Sequence, residues 1–235
     1  MSKAILIQAR LSSSRFPSKM LHDLGNYKLI EYVYNRCLTS KASNSVLVIT
    51  SSECSDDELY SFCINKNINV FRGDLDDVLK RYLKASEENK FDIICRVCGD
   101  SPFVDIAAID NMFYYFEKNK TIDYMSTSDS LNGFMSEAFT LNLLRKIYNV
   151  ALTKNDKEHV TKYVRDHMLN FQTKELKLNL RPEHLSSFTL TIDYLEDIIL
   201  AEKIVDKLKD FTFTSLEVIE ILKKIKKDKN ELQNT

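Results

Sequence analysis

Apolar residues fall along this chain in two rhythms, and their alternation outlines a fold. Ala4–Ile7, Val46–Ile49 and Ile93–Val97 are short and apolar almost throughout, as strands buried on both faces are. Asn69–Phe71 is a shorter strand of the same kind. Between these runs, apolar residues recur at helical spacing. One such series is Leu29, Ile30, Val33 and Cys37; another is Leu59, Phe62 and Cys63, opened by the capping-box pattern Ser55-Asp-Asp-Glu58. Further helices are predicted from Asp76 to about Glu88, with Val78, Leu79, Tyr82 and Leu83 inward, and from Asp105 to Glu117, with Ile106, Ile109 and Phe113 on one stripe. Strands alternating with amphipathic helices predict a parallel sheet joined by crossovers.

The second half is less regular. Asp123–Met125 reads as extended, Leu141–Ala151 and Lys157–His167 as helical, and Gln172–Leu178 alternates like a strand. Thr189–Ile192 is predicted as another strand, followed by an amphipathic helix over Leu195–Leu208. Thr214-Ser-Leu-Glu217 caps a last helix, which runs into a charged tail from Lys223 to Thr235. The whole chain, 1–235, is expected to be one α/β domain, with about 126–184 forming a lid, acceptor or dimerisation excursion.

Composition narrows the partners. Lys and Arg number 33 against 34 Asp and Glu, a net charge of −1, which gives no reason to expect nucleic acid or an anionic membrane. No apolar run is long enough to span a bilayer and no signal-peptide pattern opens the chain, so a cytoplasmic location is expected. Five cysteines, an odd number, suit a reducing compartment. Cys95 and Cys98 form a C-x-x-C, but three residues apart on a strand puts them on opposite faces, where they pack rather than pair. There are four glycines, and no G-x-G-x-x-G follows the first strand, which excludes a dinucleotide-binding Rossmann domain.

The candidate chemistry starts in the loop after the first strand. Gln8-Ala-Arg-Leu-Ser-Ser-Ser-Arg-Phe-Pro-Ser-Lys-Met-Leu21 carries Arg10, Arg15 and Lys19 among four serines. Small residues let backbone N–H groups approach an anion and fixed cations neutralise it, so this is either a triphosphate cradle or a solvated basic loop. Asp100 ends the strand Ile93–Val97, at the sheet edge where ligands bind; it either holds Mg2+ or caps the next helix. Asp193 stands in the same ambiguity before the helix near Leu195. Asp74-Leu-Asp76 either favours the dipole of the helix it opens or is a metal-binding Asp-x-Asp. No arrangement of Ser, His and Asp and no thiolate site suggests covalent hydrolysis.

Gln-Ala-Arg-x-x-Ser-x-Arg-x-Pro-x-Lys-x-Leu resembles the opening signature of the cytidylyltransferases that activate sugar acids. The similarity is strongest to the spore-coat polysaccharide branch, with keto-deoxy-octulosonate and acylneuraminate enzymes more distant. That family usually carries glycine where this chain has Ser12 and Ser18. The resemblance implies a single Rossmann-like nucleotidyltransferase domain with a mixed, mostly parallel central sheet. It further implies transfer of CMP from CTP to an acidic sugar or phosphorylated metabolite, with release of pyrophosphate, by a homodimer.

On this resemblance Gln8, Ala9, Arg10, Ser12, Ser13, Arg15 and Lys19 hold the nucleotide, Asp100 and Asp193 hold Mg2+, and Arg10, Arg15, Lys19 and Asp100 are catalytic. Arg72, Gly73 and Asp77, in Arg-Gly-x-x-Asp-Asp-Val-Leu-x-Arg, lie beside cytosine and ribose; Asn132, Glu137 and His159 meet the acceptor. Two rivals stay open. One is a glycosyltransferase built on Asp74-x-Asp76, consuming a nucleotide-sugar; the other is a non-catalytic nucleotide-binding or dimerising partner.

Overall fold

The computed structural model describes residues 1–150 and 153–233. A seven-stranded sheet forms its centre. From edge to edge the order is β5 (Val70–Gly73), β4 (Ser45–Ser51), β1 (Lys3–Gln8), β6 (Ile93–Cys98), β8 (Glu137–Thr140), β7 (Tyr124–Ser130) and β9 (Thr173–Leu180). β1, β4, β5 and β6 run parallel, β8 is antiparallel to both β6 and β7, and β7 pairs in parallel with β9. The expected mixed, mostly parallel sheet is therefore present. A small antiparallel ribbon, β2 (Asp23–Leu24) with β3 (Tyr27–Lys28), turns at Gly25 and was not legible in the apolar pattern.

Two apolar layers follow from the pleat of the buried strands. Ile5, Ile7, Cys95 and Val97 face a core shared with α1 (Leu29–Leu38), α2 (Asp57–Asn65), α4 (Ile106–Lys118), α8 (Leu195–Val205) and α9 (Ser215–Gln233). Ala4, Leu6, Ile49 and Ile94 face the other way, onto α3 (Val78–Glu88) and α5 (Leu141–Val150). Cys95 thus lies in the first core and Cys98 on the opposite face, and the five cysteines are free thiols. Among the described residues no helix is long and apolar enough to cross a membrane.

Strands added first on one side of β1 and then on the other open a crevice outside the carboxyl ends of β1 and β6. Gln8 and Cys98 are register partners at that edge. Residues 126–184 contribute most of β7 and all of β8 and β9 to the same sheet, together with α5, α6 (Lys154–Glu158) and α7 (Lys162–Asp166).

Several expectations give way. Thr189–Ile192 is not a strand: β6 already pairs with β1 and β8, leaving this segment only loop carbonyls to meet. Leu190 N donates to Asn132 O at 2.8 Å and Ile192 N to Asp100 O at 2.8 Å. The Ser55–Glu58 box does not form; Cys54–Asp56 makes a 3-10 turn and Asp56 turns inward. Lys157–His167 breaks into α6 and α7 at Val160, whose φ of 49° drops its side chain into the core. The charged run from Lys223 forms the end of α9 as far as Gln233. Ala151, the predicted end of α5, lies outside the described residues.

Gly133 sits at φ 107°, and a Cβ there would fall 2.6 Å from Leu190 Cβ and 2.7 Å from its carbonyl carbon. This close packing seats the 189–192 segment against the turn after β7. Gly133→Ala is expected to cost about 2–4 kcal/mol from backbone strain and overpacking, read as a lower urea midpoint at unchanged slope. A midpoint within error of the parent would contradict it.

Candidate active site

The first loop is anchored from beneath by a residue outside it. Asp56 is fully buried; its carboxylate accepts from Leu11 N at 2.7 Å, from Ser51 N at 3.2 Å and from the Ser51 hydroxyl. Leu11 O then receives both Ser13 N at 2.8 Å and Ser18 N at 3.1 Å, which pinches residues 11–18 into a compact turn. Ser18 adopts the left-handed conformation at φ 56°, where glycine is the favoured residue, whereas Ser12 does not have positive φ. Gly99 permits the strand ends to close over one another, since a Cβ would lie 2.7 Å from Met20 Sδ and 3.2 Å from Gln8 O.

This folding buries Lys19 and aims its ammonium at three oxygens. It lies 2.8 Å from Asp100 Oδ2, 2.6 Å from Ile192 O and 3.6 Å from Asp193 Oδ1. Arg15 donates to the same Asp193 oxygen at 2.5 Å and stacks over Tyr194 at 5.4 Å. Two carboxylates from distant parts of the chain therefore converge on one point. Neither caps a helix. Asp105 caps α4 by accepting from Ala108 N at 2.9 Å, and Asp197 takes the N–H groups of Asp193 and Tyr194 at the start of α8, both at 2.8 Å. Helix starts are satisfied by neighbours, and Asp100 and Asp193 face the crevice, where Lys19 and Arg15 pair with them.

A cavity of about 300 Å³ opens here, lined by Gln8, Ala9, Arg10, Ser12, Ser13, Arg15, Lys19, Cys98, Asp100 and Asp193 among others. Nearly every residue expected from the first loop is gathered in it. Two hard oxygen ligands within reach of one cation match Mg2+, which takes one or two protein carboxylates and completes its shell with water and phosphate. Among the described residues no group of three or more His, Cys, Asp or Glu gathers elsewhere as a denser metal site.

Two further cavities adjoin the first. One, of about 390 Å³, shares Asp100 with it and is lined by Arg96, Tyr124, Asn132, Glu137, Arg165 and Thr191 among others. Glu137 is its hub, accepting from Arg96 at 2.9 Å, Tyr124 OH at 2.6 Å, Thr161 Oγ1 at 2.8 Å and Arg165 at 2.7 Å. Burial alone pushes the Glu137 carboxyl up, yet Arg96, Tyr124, Arg165 and Thr161 together hold it below its ordinary value. Asn132 donates to Thr189 and Thr191 hydroxyls, each at 3.2 Å. The other cavity, of about 540 Å³, shares Arg10 with the first and is lined by Asp74, Asp77, Lys80, Tyr148, Lys157 and Glu158 among others.

A model of the cytidylyltransferase family matches residues 4–233. The chain belongs to that family. It is 34% identical to the Bacillus subtilis spore coat polysaccharide biosynthesis protein SpsF, over 82% of this chain and 81% of the relative. An uncharacterised protein of Methanocaldococcus jannaschii is 36% identical over 83% of this chain and 79% of its own. The solved structure of a cytidylyltransferase from Leptospira borgpetersenii superposes with a TM-score of 0.90 at 30% identity, covering 97% of this chain and 96% of the other. The protein is a CTP-dependent nucleotidyltransferase.

Not every expected site residue of this cytidylyltransferase reaches a cavity. Arg72 turns away: its guanidinium donates to Ser51 O and Glu53 O at 2.8 and 2.9 Å, pairs with Asp57 at 2.7 Å and lies over Tyr60. Gly73 serves packing, because a Cβ there would lie 2.8 Å from Arg81 Cγ. Asp77 does line the cavity, while also capping α3 through Lys80 N at 2.8 Å and pairing with Lys157 at 3.3 Å. Asp74 closes its own turn, accepting from the N–H groups of Asp76 and Asp77 at 3.1 and 3.0 Å. Those bonds, led by the one from Asp77, hold its carboxyl low, and both Asp74 and Asp76 line the cavity beside Arg10. His159 is exposed and lines none of the three cavities; from Glu-His-Val-Thr it is Glu158, Val160 and Thr161 that the structure uses.

Four contributors escaped the sequence reading: Asp56, Arg81, Arg96 and Arg165. Arg81 is buried and holds the Asp74–Leu75 turn by donating to both carbonyls at 2.9 Å. A lone cation on an apolar helix stripe, or inside an apolar strand as at Arg96, was the available signal. Asp56 was hidden inside a capping pattern.

Asp56→Ala would leave two backbone amides and a hydroxyl without their buried acceptor. A loss of at least about 3 kcal/mol is expected in chemical denaturation, with Asp56→Asn intermediate. Equal stability of all three proteins would refute the anchoring role. Because Glu137 has a lowered native pKa, its stabilisation is complete above the unfolded value near about 4.3 and fades as pH falls through the native one. Glu137→Gln should therefore be less stable than the parent at neutral pH, and the gap should close below about pH 4 in a pH series of urea melts. A gap independent of pH would exclude an ionised Glu137.

Proposed function

We propose that this cytidylyltransferase moves CMP from CTP to an acidic sugar or phosphorylated acceptor, releasing pyrophosphate, in the synthesis of a surface polysaccharide. The supporting observation is the row of three joined cavities. The first-loop cavity lies in the middle, sharing Arg10 with the one beside Asp74 and Asp77 and Asp100 with the one beside Glu137. Nucleoside, triphosphate and acceptor can be placed in that order, with the α-phosphorus beside Asp100. The acceptor oxygen attacks that phosphorus, the bond to the β-phosphate oxygen breaks, and pyrophosphate leaves toward the first loop.

Each residue's part follows from its chemistry. Arg15 offers a planar fork to phosphate oxygens, with Arg10 at the junction toward the nucleoside. The loop serines and their backbone let the triphosphate approach closely. Mg2+ held by Asp100 and Asp193 supplies neutralisation of charge on the phosphate oxygens. Arg96 and Arg165 set two cations in the acceptor cavity opposite Asp100 and Glu137, and Glu137 fixes their orientation. Asn132, Thr189 and Thr191 present hydroxyl and amide groups suited to a polyhydroxylated molecule. The Bacillus subtilis relative, named for spore coat polysaccharide synthesis, agrees with such an acceptor.

Pyrophosphate release from CTP and Mg2+, measured across a panel of sugar acids and sugar phosphates, tests this directly. Asp100→Asn should lower kcat by about a hundredfold or more. Arg165→Ala should raise the KM for an acidic acceptor by roughly tenfold to a hundredfold and leave the KM for CTP unchanged. Release of a nucleoside diphosphate from a nucleotide-sugar, with no pyrophosphate from CTP, would install the glycosyltransferase reading instead.

A further inference from the structure

The ammonium of Lys19 has three N–H donors and three oxygens around it, on Asp100, Ile192 and Asp193, at 2.8, 2.6 and 3.6 Å. Its side chain is 9% exposed, so little water is available to share those donors. Arg15 stands at 2.5 Å from the same Asp193 oxygen. The outer oxygens of the two carboxylates have only distant hydroxyl neighbours, Ser101 at 3.4 Å from Asp100 Oδ1 and Thr191 at 3.5 Å from Asp193 Oδ2. The carboxylate pair is thus already balanced, Asp100 and Asp193 against Lys19 and Arg15, with Arg10 a third cation in the same lining.

That balance bears on what can enter. A divalent cation arriving alone meets two resident positive charges on the same two carboxylates, one of them a buried ammonium. A triphosphate arriving alone finds the Lys19 donors already used. When both arrive together, phosphate oxygens become new partners for Lys19 and Arg15 as the carboxylates are given up to the metal. The lysine's flexible four-carbon stem permits that transfer without moving the backbone.

We infer that Lys19 is an internal substitute for the divalent cation, occupying the Asp100–Asp193 pair until metal and triphosphate load together. This rests on the reading that those carboxylates take Mg2+. Lys19 keeps like charges from repelling one another in the nucleotide-free protein and makes metal affinity depend on nucleotide. By linkage, the metal must raise nucleotide affinity by the same factor.

Calorimetric titration of Mg2+ into nucleotide-free protein tests the exchange without reference to turnover. Lys19→Met should bind Mg2+ at least about tenfold more tightly than the parent, since one competing charge is gone. CTP should strengthen Mg2+ binding by the parent and do so much less for Lys19→Met. Arg15→Gln retains the buried ammonium and should show a smaller gain in the same direction, which decides the matter if Lys19→Met fails to fold. Folded variants that bind Mg2+ no better than the parent would overturn the inference, as would a parent whose Mg2+ affinity CTP leaves unchanged. If the parent still releases pyrophosphate from CTP and Mg2+ in that case, only the exchange fails. If it neither binds Mg2+ with CTP present nor releases pyrophosphate, the metal reading falls with it.

Discussion

Lys19 is carried by the first loop, Asp100 by the end of β6, and Ile192 and Asp193 by a segment with no ladder of its own, yet one ammonium bonds all three. A buried cation of this kind is stable only while its donors stay satisfied, so the three segments are held in register by the cost of separating them. The remainder of the crevice is arranged around that requirement. Gly99 is there because the loop must pass close enough for Lys19 to reach, and Asp56 because the loop's own amides need an acceptor below.

The helix starts beside the site show how charge is allotted. Each has a neighbouring carboxylate that does the capping, Asp105 at α4 and Asp197 at α8, while Asp100 and Asp193 face the crevice and pair with Lys19 and Arg15. A carboxylate satisfied by backbone amides has little left for a metal or a phosphate's counter-charge. Asp74 illustrates the converse, with Oδ1 taken by two amides of its own turn and Oδ2 beside the Lys80 ammonium.

The cavity between Arg96 and Arg165 is organised by a single half-buried carboxylate, Glu137, with four donors from separate elements. In a low-dielectric setting such a fully satisfied network is rigid, and it fixes both arginines in the cavity they line. Rigid positioning of this sort is what group transfer asks of a protein whose chemistry belongs to the substrates.

The strands around β1, the helices between them and the first loop were legible in the sequence because their signals are local. An apolar run of Ala4–Ile7 can only be buried, and the small polar residues after it mark where that strand must end in a loop. Asp100 was placed at a strand end by the same logic. What the sequence left undecided were choices among partners far apart in the chain. Whether Asp100 and Asp193 cap helices or face a ligand depended on Asp105 and Asp197, and Thr189–Ile192 failed as a strand because β6 had no free edge. Arg72 and Arg81 sit in one segment, yet packing turned one outward to Ser51 and Glu53 and buried the other under Asp74. Periodicity and composition determine which residues must be buried and which backbone is regular, since both follow from near neighbours. Which polar group meets which is settled only when the sheet closes, because a buried charge takes the partner the tertiary fold brings within about 3 Å.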